Sequence, residues 1–319
     1  MIKKALLAAV LIFSFNVQSR ALDMSIGPVV WYAWWKPFLL DDFTGKRYFP
    51  NGYINAGSGY KFTPSFLYGP AVSLGFLDRF RLSCVFIYGD GYHMKSRYGT
   101  YYFFRDETYY NTHNLKITKY DLDATLSYII SDNFSVFGGF KYQRYKYPET
   151  RIVPSLDFTG TNIRRISYQT RAPGFGLGAA VIIPVADALN LSVNFSGLYL
   201  RSTTAYSFKE AYLSGDSYWM KEVGKYNACG GNTGITLSYK IRSINTTISV
   251  GFRYQFLKYI PADYSERIDA TYFGKTPYSY LLDKAYAQIS ERRINMTPDD
   301  RLYDHFYGIT LMALYSFEI

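Results

Sequence analysis

The sequence predicts an all-β fold, a transmembrane antiparallel β-barrel of about ten strands with both termini at one end and long loops at the other. Three observations predict it. The first is strict period-two alternation, clearest in the hairpin over residues 235–256. Ile235, Leu237, Tyr239 and Ile241 alternate with Thr236, Ser238, Lys240 and Arg242. Ile244, Ile248, Val250, Phe252, Tyr254 and Phe256 then share one face, with Asn245, Thr247, Ser249, Gly251, Arg253 and Gln255 on the other. Successive side chains of a strand point to opposite faces, so this is strand and not helix. The second is length. The apolar face of the second strand holds for about thirteen residues, enough to cross a hydrocarbon core at a tilt. The third is asymmetry. Arg242 and Ser243 make a short turn, whereas the open end carries aromatics and leads into long polar loops. Ile241 and Ile244 flank that turn on the same face, which sets the expected register.

With 319 residues the chain is long for an eight-stranded barrel and short for a large porin. Aromatics make up 19% and tyrosine alone counts 34, which suits aromatic girdles and tyrosine-rich loops. The mean hydropathy of −0.12 excludes a helical membrane protein but not a barrel, because half of each barrel strand is polar. Cys84 falls mid-strand and Cys229 in a loop, so no disulfide is expected.

Residues 1–21 read as a secretory signal peptide. Lys3 and Lys4 precede an apolar stretch too short to span, and Ser19-Arg20-Ala21 supplies small residues for cleavage. Cleavage leaves 22–319 as one barrel domain and removes Lys3, Lys4 and Arg20, so the net charge falls from +10 to +7. Strands are then expected at 24–35, 66–76, 80–88, 120–130, 134–145, 175–183, 189–199, the two of the hairpin, and 307–319. The short turns are 77–79, 131–133, 184–188 and 242–243. The long loops are 37–65, 89–119, 146–171, 201–230 and 258–304. An even strand count puts both termini on the periplasmic side and the long loops outside the cell, as in bacterial outer-membrane barrels. Within the last loop, Leu281, Leu282, Ala285, Tyr286 and Ile289 recur at helical spacing, which predicts a short amphipathic helix over 279–295.

The final strand, Tyr307 to Ile319, alternates and is rich in aromatics. It resembles the C-terminal assembly signal of bacterial outer-membrane barrels, and the resemblance implies delivery to the barrel assembly machinery. That family usually ends in Phe; here Phe317 is followed by a terminal Ile319. In size and layout the chain is similar to ten-stranded barrels of the omptin protease and Opc-type adhesin groups. Omptins use carboxylates and an Asp–His pair at the outer mouth. This chain has three histidines, His93, His113 and His305, and none in its fourth long loop beside Asp216. Asp304 and His305 are adjacent, so in a strand they point to opposite faces. The omptin catalytic pattern is absent, and no enzymatic activity is expected.

Inward positions carry Arg81, Asp121, Asp123, Lys141, Lys240 and Arg253. Pairing across the turn at Asp132 sets Asp123 opposite Lys141, an expected lumen ion pair. Two functions follow from different features. In the loops, Tyr101, Tyr102 and Arg105 lie in a tyrosine cluster, and Arg151, Arg164 and Arg165 in a stretch of net charge +3. Aromatic area beside guanidinium suits a binding surface for lipopolysaccharide phosphates, a polyanion or a protein partner. The alternative is a narrow passive pore through a slightly basic lumen. No metal-ligand spacing, cofactor motif or nucleic-acid partner is expected. The expected location is the bacterial outer membrane.

Overall fold

The computed structural model describes residues 22–38, 45–49, 52–56, 61–62, 64–102, 107–154, 161–211, 217–271 and 302–318. The expected signal peptide (1–21), the expected helix (279–295), Arg105, Asp216 and Ile319 lie outside these residues. Ten strands form the barrel: β1 (Asp23–Lys36), β5 (Ser65–Phe76), β6 (Phe80–Tyr102), β7 (Glu107–Ser131), β8 (Phe134–Pro154), β9 (Thr161–Ala186), β10 (Leu189–Ala211), β11 (Ser217–Ile241), β12 (Thr246–Thr271) and β13 (Leu302–Glu318). Three short strands, β2 (Gly45–Phe49), β3 (Gly52–Ala56) and β4 (Lys61–Phe62), extend the sheet beside β6. Each barrel strand pairs antiparallel with its neighbour, and β1 pairs with both β5 and β13. The ladder from Asp23↔Glu318 to Lys36↔His305 therefore closes the barrel. In lipid the backbone polar groups have no water, and closure is what satisfies them all.

Alternation sorts the side chains as expected. Leu237, Val250 and Leu311 stand side by side on β11, β12 and β13, each about half exposed, on the outer face. Their sequence neighbours Thr236, Ser249 and Thr310 line the lumen. Aromatics mark both rims of the belt. At the short-turn rim Phe76, Phe80 and Tyr128 form a chain of ring contacts, with Tyr315 against Phe317 further round. At the far rim run Tyr68–Tyr88–Tyr120, Tyr32 against Trp34 and Phe66, and Trp34 stacked on Tyr307 at 5.6 Å. Phe80 to Tyr88, Tyr128 to Tyr120 and Tyr315 to Tyr307 each span eight residues. At ~3.3 Å per residue that is roughly 26 Å along the strand, which fits an apolar band about 25 Å tall.

Three expectations are corrected. The turn at 242–243 is longer: Arg242–Ile244 form a 3-10 turn, Asn245 adopts a left-handed φ of 47°, and Ile241 pairs with Thr246 instead of Ile244. The pairing slides by two residues, an even shift, so every side chain keeps its face. At the turn after β7 a bulge replaces the expected Ile130–Phe134 pairing with Ser131↔Phe134. Where they are described, the long loops are mostly strand. β6 continues fourteen residues past Tyr88, β9 starts fourteen before Phe175, and β12 runs fifteen past Phe256. At ~3.3 Å per residue this wall rises roughly 45 Å along the strands beyond the upper girdle. Cys229 accordingly lies on β11, opposite Tyr199, and not in a loop.

The outward face of the belt gives a test. Val250→Arg puts a charge near the hydrocarbon midplane and is expected to cost about 2–4 kcal/mol. Thr247→Arg, which faces the lumen, is expected to cost less. Urea unfolding in lipid vesicles, followed by heat-modifiable gel mobility, compares them; equal losses would overturn the facing assignment.

Candidate functional site

The lumen has two levels. Near the short-turn end lies a cavity of about 460 Å³. Its wall carries neutral hydroxyls and amides, among them Ser83, Thr125, Ser192, Asn194, Thr236 and Ser249. The strands supply these because their inward positions are small and polar where the outer ones are large and apolar. At the head of the cavity sits a charged trio. Lys141 Nζ donates to Asp123 Oδ1 at 2.6 Å, and Arg253 Nη1 donates to Asp123 Oδ2 at 2.9 Å. Arg253 Nε also donates to Asn232 Oδ1, and its guanidinium lies 4.9 Å from the Trp31 ring centre. Asp123 and Lys141 are directly opposite across β7 and β8, as the sequence register predicts.

Above the trio the lumen is packed. Leu67, Ile117, Lys119, Leu200, Ala228 and Leu257 have no exposed surface, and Trp35, Tyr145, Tyr259 and Phe306 are almost as buried. A second charged group is set into this layer. Trp35 Nε1 donates to both carboxylate oxygens of Asp304, at 3.0 and 3.1 Å. Lys119 Nζ lies 3.3 Å from Asp121 Oδ1 and 4.5 Å from the centre of the Trp35 ring. A buried charge is costly unless paired, and the Lys119–Asp121 pair with the Trp35 ring supplies that pairing. Among the described residues no cluster of His, Cys, Asp or Glu is arranged to hold a metal ion.

The other predicted residues are dispersed. Arg81 and Lys240 are exposed, near the short-turn mouth, and do not join the trio. Tyr101 and Tyr102 are on β6, and Arg151, Arg164 and Arg165 on β8 and β9, so these are strand positions and not loop positions. Arg151 and Arg164 are cross-strand partners. The tyrosine stretch and the arginine stretch belong to separate ribbons, because the β7–β8 ladder ends at Thr118↔Lys146. Asp304 and His305 do not converge: Asp304 is buried in the lumen, and His305 accompanies Tyr254, Phe256 and Tyr303 on the outer face. Just above the upper girdle, Arg144 and Arg171 are cross-strand partners that point outward, with Arg201 outward on the next strand.

Lys119, Trp35 and Asp304 were not among the predicted lumen residues, whereas Gln143, read as inward from the sequence, is buried. For Lys119 the signal was present. It shares strand parity with Asp121 and Asp123, one step beyond the expected strand end. Trp35 and Asp304 are 269 residues apart, and only barrel closure joins them.

The trio predicts unequal losses. Asp123→Asn strands two cations in the lumen and is expected to cost roughly 3 kcal/mol. Lys141→Met leaves Asp123 paired with Arg253 and is expected to cost clearly less. Denaturant midpoints of the two refolded variants decide; a larger loss for Lys141→Met would remove the shared carboxylate from the account.

No family model matches the chain, and no curated protein sequence does. Solved structures do. The outer membrane protease OmpT from Escherichia coli is similar with a TM-score of 0.50 at 10% identity, over 95% of this chain and 99% of that one. The translocator domain of autotransporter NalP from Neisseria meningitidis matches at 10% identity and TM-score 0.35, over 99% and 94% of the two chains. The Ralstonia pickettii toluene transporter TbuX matches at 9% identity and TM-score 0.33, over 94% and 90%. At such identities the likeness is one of fold. The chain is an all-β, closed ten-stranded antiparallel barrel of the bacterial outer-membrane type.

Proposed function

We propose that the protein is an integral outer-membrane barrel, exported by a cleaved signal peptide, whose extracellular wall binds a ligand or partner. One observation carries this reading: the lumen is packed shut between Trp35, Lys119, Leu200, Leu257 and Phe306 while seven strands continue far past the upper girdle. A packed lumen is a poor conduit, and a tall wall of aromatic and basic strands is a large surface. Tyr101, Tyr102, Arg105, Arg151, Arg164 and Arg165 are the recognition candidates. No catalytic role is assigned, since Asp304 and His305 face opposite sides of the wall.

Two partners belong to the membrane itself. The outward row of Arg144, Arg171 and Arg201 just above the upper girdle supports lipid or lipopolysaccharide phosphates as partners there. The alternating strand β13 is the segment offered to the barrel assembly machinery. The passive pore is the second reading, favoured by the polar cavity of about 460 Å³.

Planar bilayers separate the two readings. The purified barrel is expected to show no unitary conductance. Deletion of 97–111 is expected to leave heat-modifiable folding intact and to abolish binding of the protein to cell or polyanion surfaces. Steady unitary conductance from the parent protein, with surface binding untouched by the deletion, would transfer the assignment to the pore.

A further inference from the structure

Above the upper girdle the wall divides. The β7–β8 ladder stops at Thr118↔Lys146. Yet β7 begins eleven residues before Thr118, at Glu107, and β8 runs eight residues beyond Lys146, to Pro154. Both stretches are paired on their far sides, Glu107 with Tyr102 on β6 and Pro154 with Thr161 on β9. Among the described residues, two strand edges therefore border one opening.

Two features keep the opening from zipping shut. The first is a β6 bulge between Gly89 and Tyr92, at the level of Lys119 where the β7–β8 ladder ends. A bulge bends its strand and increases the local twist, and this one falls where the β7–β8 ladder ends. The second is proline. Pro148 and Pro154 stand at the same parity on β8. A proline turned toward β9 would delete a ladder bond, so this parity is the one facing the opening, and two donors are missing from that edge. Residues 107–117 of β7 hold no proline. Among the described residues nothing pairs with this edge, and an edge of that length, ~36 Å at ~3.3 Å per residue, is a template for another strand.

The surroundings of the opening are basic. Residues 146–171 hold Lys146, Arg151, Arg164, Arg165 and Arg171 against Glu149 and Asp157, a net +3. We propose that the open edge of β7 is a strand-addition site, where an extended, acid-bearing segment of a partner protein pairs with residues 107–117 by main-chain hydrogen bonds. The proposal rests on the recognition reading above and names the kind of partner that reading leaves open. Backbone pairing would supply affinity, and the basic composition of β8 and β9 the preference for acidic side chains.

The probe is a labelled nine-residue peptide alternating Glu with Thr or Val, added to the full refolded chain in nanodiscs. Two twins carry N-methyl groups on alternate amides, one on each edge of the peptide. The parent peptide is expected to bind, and one twin to bind about tenfold more weakly while the other stays within about twofold. Asn111→Pro and Thr112→Pro occupy adjacent positions of opposite parity. One of them is expected to lose the peptide by a similar factor with heat-modifiable mobility unchanged. Equal binding of parent and twins, equal loss in both twins, or dextran sulfate binding that tracks the peptide's through every variant would reduce the site to charge alone and overturn strand addition. If no peptide binds while deletion of 97–111 still abolishes surface binding, strand addition falls and the recognition reading stands.

Discussion

Closure between β1 and β13 is the constraint on which the rest of the molecule depends. Hydrocarbon offers no partner to a peptide group, so an open sheet edge inside the belt would leave a row of unmet donors and acceptors. The twelve Cα pairs from Asp23↔Glu318 to Lys36↔His305 remove that edge. Closure also imposes strong curvature on the sheet. Backbones must approach closely at inward positions, and β9 meets this with Gly174, Gly176 and Gly178. A Cβ on Gly174 would collide with the Tyr199 carbonyl, and one on Gly178 with the Phe195 carbonyl.

Once the barrel is closed, alternation decides the interior. A ten-stranded barrel is narrow, so side chains fill much of it. Large inward residues on β1, β8, β12 and β13 meet and exclude solvent; small polar ones nearer the short turns leave the cavity. The charged groups of these two levels are held in contact: Lys141 and Arg253 with Asp123, and Lys119 with Asp121. Pairing matters because a lone charge in such a space would have neither water nor a partner. The order that results is lateral as well as vertical, since Asp123 joins three strands and Asp304 ties β13 back to β1.

Outside the bilayer the constraint is relaxed. Backbone groups there can bond to water, and the sheet need not remain closed. It is above the girdle that the β7–β8 ladder ends and, among the described residues, the wall divides between the β6–β7 pair with its added strands β2 to β4 and the strands β8 to β12. The same release explains the chemistry of the two regions. In the belt, outward residues are predominantly apolar and carry no charge; above it, outward arginines and lysines appear on β8, β9 and β10.

How much of this was legible depends on distance along the chain. Strand number, facing and the Asp123–Lys141 pair follow from local rules, a side-chain period of two and a short turn that carries register outward. Even the longer turn at Arg242–Asn245 shifted the pairing without changing a face. The strand ends were not legible. The apolar–polar contrast that marks a strand in lipid fades where both faces meet water, so the sequence by itself shows the belt and reads the wall above it as loop. What only the tertiary structure decided lies between residues remote in sequence. Arg253 reaches Asp123 across 130 residues, Trp35 reaches Asp304 across 269, and the tyrosines of β6 and the arginines of β8 and β9 fall on separate ribbons. These relations come from closing the sheet and splitting its rim, which no local pattern encodes.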